Sequence, residues 1–207
     1  ACGIARSAGS LESLHEHNEH GRAAGLVERL QRGASVALVS DAGTPLVSDP
    51  GARLVAAAAA AGVPTVAVPG PCAAIAALSI AGLPTERFAF EGFLPARTAA
   101  RSRALAALAR ETRTLVFYEA PHRLRECLAD LAQGLGETRE AVIAREITKK
   151  FESVYRGTLA QLAARAADDA DLSRGEIVIV VRGAEPAADD AGEAVAAREL
   201  LRVLLGE

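Results

Sequence analysis

Apolar residues recur every three to four positions across residues 20–32, which predicts an amphipathic helix ending near Gly33. Val36-Ala37-Leu38-Val39 is then an unbroken apolar run, the mark of a buried strand. The loop SDAGTPLVSDPG, Ser40 to Gly51, leads into an Ala-rich helix that stops at Gly62-Val63-Pro64. A second short strand, Thr65 to Val68, runs into Pro69-Gly70-Pro71 and a helix from Cys72 to about Ala81. Strand, loop, helix in repetition is the grammar of a parallel sheet covered by helices.

Gly82-Leu83-Pro84 interrupts that grammar, so a domain boundary is expected at residue 84. Beyond it, strands are expected at 88–90, 114–118, 141–145 and 177–181, with helices near 98–110, 121–133 and 158–167. Residues 154–157 fit an added antiparallel strand. Residues 184–192 read as a linker and 193–205 as an amphipathic helix. The expectation is an α/β chain: a parallel-sheet domain over 1–84, a mixed-sheet domain over 85–183, and a linker with the start of a helical tail over 184–207.

Half of the chain is apolar but only 3% is aromatic, so its core must be built from Ala, Val, Leu and Ile. No apolar run approaches the roughly 18 residues of a membrane span. The opening ACGIARSAGS has the character of neither a signal nor a transit peptide. Cys2, Cys72 and Cys127 are scattered without a C-x-x-C, which argues against a disulfide framework or a zinc site and for reducing cytosol. The chain holds no methionine, even at position 1, as if its natural start were missing.

Net charge is −3, which by itself disfavours a nucleic-acid partner. Its distribution says more. Residues 97–156 carry 12 basic against 8 acidic groups, a net of +4, between acidic flanks. That is either the footprint of a polyanion or a solvated helix face. Of 23 basic residues 21 are arginine, so Lys149 and Lys150 stand out.

The loop 40–51 sits where open α/β sheets bind ligands, at the carboxyl end of a strand. Two glycines, two prolines and two aspartates give it a tightly held backbone that a ligand can approach. The turn at 69–74 is a second rigid loop opening a helix, and the two could frame one ligand or be no more than well-made turns. Neither is a phosphate loop of the G-x-x-x-x-G-K type, and no G-x-G-x-x-G occurs.

Seven blocks in unbroken order carry a family resemblance: HEHNE (15–19), SDAGTPLVSDPG (40–51), PGPCAAIAALSIAGLP (69–84), EGFLP (91–95), TLVFYEAPHR (114–123), AREITKKFE (144–152) and RGEIVIVV (174–181). Together they resemble the small-subunit ribosomal RNA cytidine 2′-O-methyltransferases, a branch of the tetrapyrrole-methylase-like enzymes that use S-adenosylmethionine (SAM). The match departs at both ends, where the family's first strand with its T-P-I-G-N-L loop and its small helical tail have no counterpart. The resemblance implies two α/β domains with SAM in the cleft between them and S-adenosylhomocysteine as product. Asp41, Ala42, Gly43, Thr44 and Val47 would line the pocket, with Cys72, Ala73, Tyr118, Glu176 and Ile177. It also implies small-subunit rRNA as partner, a homodimer, and a cytoplasmic location without membrane association.

Methyl transfer to a hydroxyl needs alignment of oxygen, methyl and sulfur, and help in removing the proton. Glu119, Glu146 and Lys149 are the candidates, and Lys149 matches the family's position; it would act as a base or as a cation steadying the developing alkoxide, unless Glu146 and Lys149 are no more than a surface ion pair. At a strand's carboxyl end the Lys149 amine would be partly desolvated, and desolvation would lower its pKa. For the RNA, the candidates are His15, His17, Asn18, Arg97, Arg101, Arg103 and Arg123. His15, His17 and His20 lack the i, i+4 pairing of helical metal sites, so no metal is expected. Methylation of a tetrapyrrole or a protein side chain, or a ribosome-binding assembly factor without catalysis, are the competing readings; the basic segment and the HEHNE block favour RNA.

Overall fold

A computed structural model describes residues 11–186 together with 201, 202 and 205. The expected helix at 193–205 and most of the linker lie outside the described residues. The chain divides into two units, the first ending at Cys72 and the second beginning at Ala73, rather than at residue 84. The helix that follows Cys72 packs on strands of the second unit and therefore belongs with it.

In the first unit, helix α1 (Glu16–Gln31) packs against α2 (Ala52–Ala60) through Ala23, Leu26 and Leu54. The described residues of this unit form no strand, so the strands expected at 36–39 and 65–68 are not present. A strand exists only through a neighbour that takes up its N–H and C=O groups. Without one, Val39 and Val66 stand 70% and 82% exposed.

The second unit opens with α3 (Ala73–Ala81), then β1 (Phe88–Phe93), α4 (Thr98–Leu108), β2 (Thr114–Glu119), α5 (Leu124–Leu135), β3 (Glu140–Arg145), β4 (Ser153–Thr158), α6 (Leu159–Asp168) and β5 (Ile177–Val181). Its sheet runs β1-β2-β5-β3-β4, with β1 parallel to β2 and every other pairing antiparallel. The all-apolar Ile177-Val178-Ile179-Val180-Val181 is buried throughout, as a strand covered on both faces requires. Leu115, Phe117, Ile143, Ile177, Ile179 and Val181 alternate onto one face and form the main core with Leu105, Leu128, Leu131 and Leu162 of the helices. On the opposite face α3 packs on β2 and β5 through Ala74, Ala77, Leu78 and Ala81. The added strand expected at 154–157 is β4, and its last residue, Thr158, also caps α6 in a box with Gln161.

Arg101 corrects an expectation. It is 1% exposed, and its Nε donates to Asp130 Oδ2 at 2.5 Å while another guanidinium nitrogen reaches the Ala96 carbonyl at 3.2 Å. A phosphate cannot reach it. Position i, i+4 with buried Leu105 places it on the inner stripe of α4, whereas Arg103 is exposed. Truncating one partner of a buried pair strands the other. Arg101→Ala is therefore expected to lower unfolding stability by about 3 kcal/mol in urea titration. Arg103→Ala should change it by less than about 0.5 kcal/mol. Equal, small effects would contradict the assignment.

Candidate functional site

In the first unit the two rigid loops meet. Thr44 Oγ1 donates to the Pro71 carbonyl at 2.9 Å. Gly43 adopts φ +73°, and a Cβ there would stand 3.8 Å from that same carbonyl. Leu46 and Ser48 also take left-handed φ, 72° and 56°, so the loop holds strain of the kind found at ligand clamps. Ser40 tightens the turn, its Oγ donating to the Ala42 carbonyl and accepting from the Ala42 amide. The far end of the loop is fixed by a residue that sequence reasoning missed. Buried Glu19 of α1 accepts from the amides of Arg53 at 2.8 Å and Leu54 at 3.2 Å, satisfying first-turn donors of α2. The available signal was a carboxylate in register with Ala23 and Leu26 on the inner stripe of α1.

The same block shows why HEHNE is built as it is. The His15 amide donates to Asn18 Oδ1 at 2.8 Å, and Asn18 Nδ2 donates to the Ser13 carbonyl. Asn18 is thus occupied in starting α1, while His15 and His17 are exposed with ring centroids 6.0 Å apart. Among the described residues no group of His, Cys, Asp and Glu could hold a metal.

In the second unit the topology does the collecting. β1, β2 and β3 end at the edge where β4 and β5 begin. Arg97, Glu119, Arg123, Arg145, Lys149 and Glu176 therefore share one rim. Lys149 Nζ lies 3.2 Å from Glu146 Oε1 and 3.0 Å from Glu176 Oε2. Glu146 is tied to β5 twice, its amide donating to the Glu176 carbonyl and its Oε1 accepting from the Glu176 amide at 2.7 Å. It adopts φ +50° to do so. Gly175 is what admits it, since a Cβ there would lie 2.5 Å from the Glu146 side chain.

These contacts overturn the expected direction of the Lys149 pKa. The Glu176 carboxylate first, and Glu146 next, hold the ammonium above its ordinary range against an opposing desolvation. The Glu176 amide, helped by Lys149, holds the Glu146 carboxyl below its ordinary range. In this arrangement Lys149 is held as a cation at neutral pH.

Glu119 is also not at the rim's surface. Its side chain is fully buried, with Oε1 accepting from the Ala120 amide at 2.8 Å and 3.4 Å from Arg123 Nε. It alternates onto the helix side with Phe117, beside Cys127, whose thiol is pushed far up by burial and then by the Glu119 charge. Arg123 spends a guanidinium nitrogen on the Leu94 carbonyl at 2.8 Å and so braces the segment after β1. Tyr118 lies on the opposite face, where its hydroxyl accepts from the Ala74 amide at the start of α3. Ile177 is buried, so only its backbone is available to a ligand; Glu176 is exposed.

Glycine-bearing turns joined by Thr44 in the first unit, and a strand-end rim of charged groups in the second, are features that ligand-binding α/β proteins share. The chain belongs to the family described as tetrapyrrole (corrin/porphyrin) methylases, whose profile matches residues 4–163. Within it, the chain is 55% identical over 194 residues to ribosomal RNA small subunit methyltransferase I of Xylella fastidiosa (strain Temecula1), covering 94% of this chain and 70% of that protein. It is 53% identical to the protein of the same name from Pseudomonas aeruginosa, covering 94% of this chain and 68% of that one. Among solved structures it resembles uroporphyrin-III C-methyl transferase from Thermus thermophilus complexed with S-adenyl homocysteine, with TM-score 0.53 and 18% identity over 79% of this chain and 73% of that one. That last likeness concerns the fold alone.

The sign of the Lys149 shift gives a measurable consequence. A raised lysine contributes stability that is complete below its ordinary pKa and lost as pH rises through the folded value. A lowered glutamate contributes stability present above its ordinary pKa and lost as pH falls through the folded value. Between those limits the Lys149, Glu146 and Glu176 group stays intact. NMR titration of the Lys149 ammonium should give a midpoint above that of a free lysine side chain; a midpoint below it would contradict this arrangement.

Proposed function

We propose that this chain transfers a methyl group from SAM to a ribose 2′-hydroxyl of cytidine in small-subunit ribosomal RNA. The observation that carries the reading is the 55% identity, over nearly the whole chain, to a protein named for small-subunit rRNA methylation. Loop geometry supports the cofactor. The backbone at 40–47 is held open by Gly43 and braced on Pro71, which suits recognition by amides and carbonyls. Asp41, Ala42, Gly43, Thr44, Val47, Cys72 and Ala73 would hold SAM there. In the second unit Tyr118 holds the start of α3, and Tyr118, Glu176 and Ile177 are the further SAM candidates that the family resemblance implies.

When bound, SAM supplies an electrophilic methyl on a sulfonium. The chain's own contribution is to place the acceptor hydroxyl and to steady charge growing on its oxygen. Lys149, kept protonated by Glu176 and Glu146, is suited to the second task. An interaction stronger in the transition state than in the ground state raises the chemical rate. Arg97 and Arg103, both exposed on the basic segment, would meet phosphates. With Arg101 buried and engaged internally, the phosphate-binding set is narrower than the charge count suggests, and partly exposed Arg123 stays in it. No helix among the described residues is long and apolar enough to cross a membrane. The reading carries with it a cytoplasmic location and, from the family resemblance, a homodimer.

The experiment is transfer of label from methyl-tritiated SAM to purified small ribosomal subunits, followed by nucleoside analysis. Label in 2′-O-methylcytidine is expected. Gly43→Val, which cannot keep φ +73° without strain, should lose SAM affinity by calorimetry while retaining its circular dichroism. Label recovered on protein or on a base, or unchanged SAM affinity in Gly43→Val, would contradict the assignment.

A further inference from the structure

The chain is poor in aromatic residues, with 5 Phe, 2 Tyr and no Trp. Six of these seven sit on strands: Phe88, Phe90, Phe93, Phe117, Tyr118 and Tyr155. The remaining one, Phe151, lies in the segment between β3 and β4 and is 64% exposed. It contributes to no described core cluster. Its neighbours are the chain's only two lysines, and Lys150 Nζ stands 5.5 Å from the ring centroid.

The segment is held in shape. Ile147 is buried beneath it, and Glu146 and Thr148 take left-handed φ of 50° and 66°. Arg145 donates to the Phe151 carbonyl at 3.2 Å, and the Thr148 amide donates to Glu152 Oε2 at 2.6 Å. The Lys149 amide donates to the Glu146 carbonyl, and the Glu152 amide to the Lys149 carbonyl. An apolar ring on a braced loop, with cations around it and Lys149 two residues away, is presented outward at little remaining ordering cost.

We propose that Phe151 is a stacking platform for an unpaired nucleobase of the RNA, seated beside the nucleotide at which Lys149 acts. This rests on the RNA reading above and deepens it. Proteins recognise single-stranded RNA by stacking splayed bases on aromatic rings, with nearby cations holding the backbone. Both halves of that arrangement occur here within three consecutive residues, Lys149, Lys150 and Phe151. A base paired inside a duplex offers no free face to such a ring, so the platform selects unpaired RNA. A Phe buried against a second copy of this chain would share the exposure but would not distinguish single strands from duplex.

Because the chain has no tryptophan, Phe151→Trp places a sole indole at the position in question. Its fluorescence is to be titrated with a single-stranded RNA dodecamer and with the duplex of the same sequence. Quenching by the single strand, and much less by the duplex, is expected. In parallel, Phe151→Leu keeps apolar bulk but removes the π-face, and should bind the single strand about tenfold more weakly than the parent. Phe151→Trp should bind it as well as the parent does. An indole insensitive to both RNAs, or equal affinities for parent and Phe151→Leu, overturns the proposal. So does a parental dimer that Phe151→Leu converts to monomer in sedimentation while RNA affinity is unchanged. Methyl transfer by the parent is measured separately, so failure of the enzymatic reading is told apart from failure of the platform.

Discussion

The charged rim of the second unit depends on one pairing choice, the insertion of β5 antiparallel between β2 and β3. A strand entering the middle of the sheet in reverse turns β3 and β4 so that the end of one and the start of the other fall on the rim where β1 and β2 finish. Ile177 to Val181 can take that position because all five side chains tolerate burial. Gly175, just ahead of it, clears the room in which Glu146 folds back against the strand start. From these two facts follow the Glu146 tie, the Glu176 position and the charge state of Lys149.

The first unit solves a related problem by different means. Its loop 40–51 is held at one end by Thr44 on Pro71 and at the other by Glu19 on the α2 amides. Both loops that matter, 40–51 and 146–152, contain non-glycine residues at positive φ. Such conformations persist only where surrounding contacts over-determine them. Polar side chains supply those contacts here: a threonine and a buried glutamate in one case, Arg145 and Glu152 in the other. The result is backbone fixed before any ligand arrives, which lowers the ordering cost of binding.

Much of this was legible in the residues. Four strands of the second unit follow from short apolar runs, and the fifth, β4, follows from 154–157. The family is carried by seven ordered blocks. Three things were not legible, each for a physical reason. The runs at 36–39 and 65–68 have strand composition, but composition cannot supply a ladder partner. Arg101 sits in an arginine-rich helix where every arginine looks solvated, and only its i, i+4 relation to Leu105 and the facing Asp130 on α5 mark it as internal. The Lys149 shift has the opposite sign to the expectation because Glu176 is 27 positions away in the chain but adjacent at the rim. Burial alone lowers a lysine pKa; two carboxylates outweigh it.

One rim of the second unit's sheet, built by the β5 insertion, is proposed to meet the RNA. Hydrogen–deuterium exchange of the chain with and without small ribosomal subunits tests it most directly. Slowed amide exchange is expected in 94–98 and 146–152, with the opposite edge of the sheet, 110–114 and 182–184, unchanged. Protection confined to that opposite edge would contradict the account.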